Sequence, residues 1–406
     1  MKSRSNSPRS SRTRAALLVN MIAPARIPLF SALADHFDLL ILHGGMEANR
    51  SWHGVEGALP NATVKRAAGW QIPTWRKNDG VEDRRYVHFT PGFLWHLLRF
   101  RPRVVVANEM GFRAVAALLY GALTRTPVWL WWGGTLHTER GIGRLRKISR
   151  ALISRWARHW ISYGLTSTEY LLSLGIDRSR ILEIQNAVDE QRFSTRPSAG
   201  ASGEGTDLVY RVRPVILCVS ALIPRKGLDC LLRAAAALKR EGREFSLAII
   251  GTGPELEGLQ RLAKDARLTN IFFHPERPPE EMPAVYRSAD IFVFPTLEDV
   301  WGMVANEAVL SGLDVLCSCY AGCAPELFDP QNIFDPRNPE QFKDKLRDAL
   351  DGLIAPSDPS RLKTTPQLAA TLIRALEDGL PGGDRSRSSG IRIVQKREGA
   401  SAPTAS

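Results

Sequence analysis

The chain has 406 residues, 44% hydrophobic and 24% charged, an ordinary globular balance with room for two domains. Its five cysteines, all in the second half, fit reduced thiols better than a secreted disulfide framework. No run of about 18 apolar residues offers a transmembrane helix, so collagen-like, disulfide-rich, polytopic and wholly disordered proteins are excluded. The net charge of +12 is uneven: residues 15–200 carry 24 Lys+Arg against 14 Asp+Glu, and residues 205–350 carry 17 against 21. One basic unit beside a mildly acidic one suggests a face turned to something anionic, a membrane, a phosphorylated lipid or nucleic acid.

Residues 1–14, rich in Ser and Arg, predict a disordered basic tail, and no apolar export core follows before Pro24. From Ala15, apolar runs at 15–20, 38–45, 103–108 and 127–132 predict buried strands, with a helix over 28–37 and helical patterns between the others. This first unit is expected to end at 196, before a Gly/Ser/Pro linker at 197–206. The pattern then restarts over 207–350, with strands at 214–222, 245–254, 271–274, 289–296 and 314–318 and helices at 228–242, 255–268 and 301–312. Closing helices are expected within 351–378 and a flexible tail from 379. Strands alternating with helices predict an α/β protein of two Rossmann-like, doubly wound domains facing each other across a cleft. Ligands of such sheets bind at the carboxyl ends of the strands, where helix N-termini point.

The segment from Glu298 to Glu307 follows an expected strand and opens an expected helix. Asp299 and Glu307 are separated by seven residues, with Trp301-Gly302 between them. This resembles the acidic donor-site motif of the group 1 glycosyltransferases, the family 4 retaining enzymes of GT-B fold. The family pattern has Glu at the first position; here Glu298 and Asp299 share the assignment. Peptide amides of Gly302, Met303 and Val304 at a helix start can bind a diphosphate. The resemblance implies that Glu307 accepts hydrogen bonds from ribose hydroxyls and that the Glu298/Asp299 pair acts on the sugar. Ser220 to Gly227 resembles the family's strand-end phosphate motif. Lys226 and Gly227 match it, Ala221 replaces its usual arginine, and Arg225 is positioned to compensate. Gly251-Thr252-Gly253-Pro254 resembles the family's glycine turn, where backbone can approach a nucleotide. Leu256 stands where a dinucleotide fingerprint needs its third glycine. Gln185 to Asp189 and Gly322 to Glu326 also fit family segments, so the resemblance is carried mainly by residues 165–330.

In the first half, Arg26 follows the first strand and has two open readings, a cleft residue touching donor or acceptor and a solvated loop arginine. Gly133 and Gly134 follow the strand at 127–132, with His137 nearby as an acceptor-side candidate or a structural histidine. Over 139–160, seven basic residues oppose Glu139 alone, and Leu145, Ile148, Leu152, Trp156 and Trp160 recur at helical spacing. Such a helix can lie on anionic lipid or pack its apolar stripe on the sheet with its arginines in water.

The leading function is a sugar-nucleotide-dependent transferase holding the donor in the second unit and a glycan or lipid-linked acceptor in the first. The resemblance implies retention of anomeric configuration. It implies no cofactor and no obligatory metal, and the chain has neither an Asp-x-Asp pair nor a Cys/His cluster at ligand spacing. The expected place is cytoplasmic, peripheral on the membrane through residues 140–160, in polysaccharide or glycolipid synthesis. A nucleotide-sugar epimerase of the same fold and an inactive relative binding anionic lipid are the alternatives. No nucleic-acid partner is expected.

Overall fold

The computed structural model describes residues 12–44, 55–78, 81–194, 208 and 210–380. The linker expected at 197–206 lies outside the described residues, as do residues 1–11 and 381–406 of the expected tails.

The first unit runs β1 (Arg14–Val19), α1 (Ile27–His36), β2 (Asp38–His43), β3 (Ala62–Arg66), β4 (Trp70–Asn78), β5 (Val81–Phe89), α2 (Gly92–Phe100), β6 (Val104–Asn108), α3 (Phe112–Thr124), β7 (Val128–Trp132), α4 (Arg144–Trp156), β8 (His159–Tyr163), α5 (Gly164–Ser173) and β9 (Ile181–Ile184). Seven strands form one sheet in the order β3-β2-β1-β6-β7-β8-β9, every neighbouring pair parallel. The central runs are apolar on both faces because helices cover both. Phe93, Leu97, Ala114 and Ile153 of α2, α3 and α4 pack on one side, and Leu29, Phe30 and Leu33 of α1 on the other. β4 and β5 stand apart as an antiparallel hairpin.

After α6 (Glu190–Ser194), the second unit runs β10 (Val215–Val219), α7 (Leu228–Arg240), β11 (Ser246–Ile250), α8 (Leu256–Asp265), β12 (Ile271–His274), α9 (Met282–Arg287), β13 (Ile291–Phe294), α10 (Met303–Leu310), β14 (Asp314–Ser318), α11 (Ala324–Leu327), β15 (Ile333–Phe334), α12 (Pro339–Leu350) and α13 (Thr365–Asp378). Its parallel sheet has the order β12-β11-β10-β13-β14-β15. Both sheets therefore reverse direction beside their first strand, at β1/β6 and at β10/β13, and those switch points are where open α/β sheets form ligand crevices.

The structure moves four expected boundaries. Val188 and Phe193 pack in the core of the second unit while Ala187 packs in the first, so the chain crosses at 187–188 rather than at 196. α12 closes the second unit through Phe342 and Leu346, but α13 returns to the first, burying Leu368, Leu372 and Leu376 there. The basic tail expected through 14 ends sooner, because Arg14 opens β1 and pairs in register with Asp38. Gly379 and Leu380 likewise stay on the fold: the Gly379 N–H caps α13 at the Ala375 carbonyl, and Leu380 packs on the first core.

The helix expected over 139–160 is shorter. α4 stops at Trp156, where Ala157 turns extended. Trp160 belongs to β8 and is fully buried. The stripe left on α4, Leu145, Ile148, Leu152 and Trp156, is solvent-exposed, Leu145 at 84%.

Candidate functional site

The site grows from the ends of β10 and β13. After β10 the chain makes a short helical turn at Pro224–Lys226 and leaves it through Gly227 at φ +64. A Cβ on Gly227 would collide with the Pro295 carbonyl beyond β13, so only glycine lets the two strand ends meet. The turn is sewn to the β13 loop: the Leu297 N–H and Thr296 hydroxyl donate to the Arg225 carbonyl, and the Arg225 guanidinium donates to the Glu298 carbonyl at 3.3 Å. This presents buried Lys226 to Asp299, with Nζ 2.5 Å from Oδ2. The other oxygen of Asp299 accepts the Trp301 N–H at 3.2 Å. Burial alone would raise the Asp299 pKa, but the Lys226 and Arg225 charges outweigh it and hold the carboxyl at about 2. Of the two acids left open by the sequence, Asp299 is the one whose carboxylate meets Lys226.

Gly302 caps α10 at φ +104, and a Cβ there would strike the Phe294 ring. The first amides of α10, Gly302 to Val304, are donors that no intrahelical partner uses. One turn on, Glu307 accepts the Tyr286 hydroxyl at 2.7 Å. Glu307 keeps part of its surface open, yet burial around its carboxyl pushes the pKa up to about 7, against the Tyr286 hydrogen bond and the Arg192 charge. Gly251 and Gly253 have a packing reason of their own: side chains there would hit the carbonyls of Ser220 and Leu222, where the two loop backbones touch.

The first unit meets this site at several points. His137 donates from Nε2 to the Leu297 carbonyl at 2.8 Å and stacks on Tyr320 at 4.4 Å between centroids, which puts it across the cleft and two residues from Asp299. Arg26 is not a free cleft residue. Its guanidinium lies by the Trp131 and Tyr163 rings, 4.9 and 5.0 Å from their centroids, and donates to the Asn186 side-chain carbonyl. Asn186 in turn accepts Asn306 at 2.8 Å, and Asn306 accepts the Trp301 indole at 3.0 Å. Gly133 and Gly134 make room for the Tyr163 and Trp132 rings, which a Cβ at either would overlap.

Nothing in the sequence around Tyr286 or Asn306 marks either as part of the site. Glu326, in the Gly322 to Glu326 segment, ties the two units together. Its carboxylate accepts the Leu165 N–H at 2.6 Å and Gln185 Nε2 at 3.2 Å, and burial pushes its pKa up to about 7. Gly164, at φ +73, leaves space for that carboxylate. Among the described residues, no three His, Cys, Asp or Glu side chains converge as metal ligands.

Residues 209–362 match the family model described as Glycosyl transferases group 1. The chain is 40% identical over 152 residues to the GDP-mannose-dependent alpha-(1-6)-phosphatidylinositol monomannoside mannosyltransferase of Mycolicibacterium smegmatis, covering 34% of this chain and 38% of that one. It is 34% identical over 194 residues to the D-inositol 3-phosphate glycosyltransferase of Nocardia farcinica, covering 45% and 42%. The chain thus spans about two fifths of these relatives' length. Anabaena Alr3699/HepE, solved with UDP and glucose, superposes with a TM-score of 0.63 over 91% of this chain and 95% of that one at 15% identity, which shows the GT-B fold of two Rossmann-like domains. The second unit thus resembles the group 1 glycosyltransferases, and the chain as a whole shares the GT-B fold.

Proposed function

We propose that the protein transfers a hexose from a nucleoside diphosphate sugar to a membrane-linked polyol or glycan, with retention at the anomeric carbon and without a metal. The observation that carries this reading is the convergence of Lys226, Asp299, the α10 start at Gly302 and Glu307 on one side of the cleft. Lys226 and the amides of Gly302, Met303 and Val304 hold the diphosphate as a point charge and a helix N-terminus. Glu307 receives the ribose hydroxyls, and Asp299 faces the sugar as positive charge develops at its anomeric carbon. The bond from that carbon to the diphosphate oxygen breaks, a bond to the acceptor hydroxyl forms, and the hydroxyl proton leaves with the diphosphate. Contact of His137 with the Leu297 loop closes the cleft over this centre, so that water is excluded and transfer prevails over hydrolysis. The likeness to a mannosyltransferase named for GDP-mannose favours a guanosine donor and mannose as the first sugar to try.

The outer face of α2, α3 and α4 supports a peripheral place on an anionic membrane. It exposes Trp95 and Leu98, Val115, Leu119 and Leu123, and Leu145, Ile148, Leu152 and Trp156. Residues 92–158 hold twelve arginines and lysines against only Glu109 and Glu139, which pair with Arg113 and Arg150. Apolar anchors fringed by cations fit a lipid surface better than nucleic acid. Among the described residues, no helix is long and apolar enough to cross a membrane. The test of the activity is incubation of GDP-mannose with membrane lipid extract, followed by NMR of the product. An α-mannoside formed in excess EDTA agrees with the proposal. A β-linked product or a reaction abolished by EDTA contradicts it, and an epimerised donor formed without acceptor points to the epimerase.

A further inference from the structure

We propose that Tyr286 is a positioning residue for the donor nucleotide: its hydroxyl holds the Glu307 carboxylate in one orientation, and so makes the site discriminate a ribonucleotide from one that lacks the ribose hydroxyls. The proposal rests on the transferase reading, in which Glu307 receives the ribose, and Tyr286 acts only through Glu307. Tyr286 lies near the end of α9 and is fully buried. Its hydroxyl oxygen is 2.7 Å from Glu307 Oε2 and 3.4 Å from the Val304 carbonyl. A phenol has one proton to donate, and the shorter, charge-assisted contact to the carboxylate takes it.

Packing alone does not ask for a tyrosine here. The ring is enclosed by Phe193 of α6, edge-on at 5.8 Å and 78°, and by Phe292 of β13 at 5.7 Å. Phenylalanine would fill the same space without burying a hydroxyl, which is unfavourable unless the hydroxyl is hydrogen-bonded. The hydroxyl is therefore explained by its partner. Burial, and then the Glu307 charge, pushes the phenol pKa well above its ordinary range, so Tyr286 stays a donor at every working pH. Glu307 has a long, flexible side chain whose rotamer freedom must be given up before it can bind a ligand in one geometry. With Oε2 held by Tyr286, Oε1 takes no donor among the described residues, and Glu307 keeps part of its surface open. A carboxylate pinned by one oxygen presents the other at a set angle before the ribose arrives, so that ordering no longer opposes binding.

The charges around this pair fix the sign of its pH dependence. Burial carries the Glu307 pKa up to about 7, against the Tyr286 hydrogen bond from α9 and the Arg192 charge from α6. Arg192 is also 3.7 Å from Asp189. β10 presents the Cys218 thiol to Tyr286, and burial pushes that thiol up to about 12. Beneath α10, β13 is wholly apolar. β14 brings the Cys317 thiol and Asp314, whose carboxylate accepts the Ser357 N–H at 3.3 Å. Removing the Tyr286 hydroxyl leaves burial less opposed, so the Glu307 carboxyl then ionises at higher pH. α6 follows directly on the crossing at 187–188, and its Phe193 and Arg192 brace the Tyr286–Glu307 pair from the segment that joins the two units.

The experiment is isothermal titration of the full chain, wild type and Tyr286→Phe, with GDP and 2′,3′-dideoxy-GDP across a pH series, and with the two uridine counterparts in parallel; thermal melts check the fold of the variant. The comparison is read on whichever base binds more tightly. Wild type is expected to prefer the ribonucleotide at least tenfold at pH 8, as a hydrogen bond to a charged group allows. Tyr286→Phe should weaken the ribonucleotide about tenfold and leave the dideoxynucleotide within about twofold, so that the preference largely disappears. The pH midpoint of ribonucleotide affinity should move upward in the variant. A merely structural role would weaken both nucleotides alike and leave that midpoint in place. That result overturns the proposal, as does unchanged ribonucleotide binding by Tyr286→Phe. If wild type binds both nucleotides equally, the proposal falls while the donor site stands. If wild type binds no nucleotide, the transferase reading falls and the proposal with it.

Discussion

Asp299 and Glu307 are two carboxylates on one loop-helix segment that the fold drives in opposite directions, to about 2 and about 7. Asp299 is ionised at any working pH, which suits a group facing developing positive charge. Glu307 ionises through neutrality, so nucleotide affinity should rise between pH 5.5 and 8 and flatten above, as isothermal titration with GDP would show. Its folded pKa lies above the unfolded value, so its contribution to stability is complete below the unfolded pKa and is lost as pH rises through about 7. Glu307→Gln should therefore raise Tm by a few degrees at pH 8.5 and by much less at pH 5, as a thermal melt series would show. Lys226→Ala leaves Asp299 buried beside no ammonium, and breaking such a pair costs about 3–5 kcal/mol; the variant should melt lower and bind no GDP. Asp299→Asn should keep GDP binding while kcat falls about 100-fold or more. The spacing of Asp299 and Glu307 was legible because both sit in one short segment. Tyr286 was not, since it reaches Glu307 from α9 and nothing near it in sequence marks the pairing.

Strands β1, β2, β6 and β7 of the first sheet and β10 to β14 of the second are legible because burial on two faces leaves uninterrupted apolar runs such as Val104–Ala107 and Val128–Trp132, whereas the short or more polar β3, β8, β9 and β15 are not. The β4–β5 hairpin was missed: its strands are largely polar and lack the alternation that marks a half-buried strand, although Asp79-Gly80 lies between them. α4 is shorter than its pattern predicts because Trp156 and Trp160 keep helical spacing across its end. The break at Ala157 follows from β8 pairing with β7 and β9, a tertiary demand with no glycine or proline to announce it. At this scale, Gly302→Ala tests how α10 begins. It puts a Cβ into the Phe294 ring at positive φ, should cost about 2–3 kcal/mol in a denaturant titration, and should weaken GDP at least tenfold. The exposed stripe of α4 makes a second element-scale expectation. Leu145→Glu with Leu152→Glu should abolish sedimentation with phosphatidylglycerol vesicles while leaving the GDP-induced thermal shift unchanged.

Across the whole molecule, the two units are tied by polar links that end beside the chemistry. The Arg26–Asn186–Asn306–Trp301 chain reaches the start of α10, His137 reaches the Leu297 loop, and Glu326 takes the N-terminal amide of α5. The return of α13 to the first unit adds an apolar tie. The two-domain plan could be read from its repeated strand-helix pattern, but the crossings at 187–188 and before α13 could not, because they depend on which core accepts Val188 and Leu372. All of these ties serve one claim, that a nucleotide sugar is bound between the units by Lys226, the α10 start and Glu307. Thermal stabilisation by GDP and GDP-mannose, in EDTA, of wild type, Lys226→Ala and Glu307→Ala tests it most directly. Wild type should show a clear shift and either variant little or none. No shift for wild type, or the same shift in all three proteins, would contradict it.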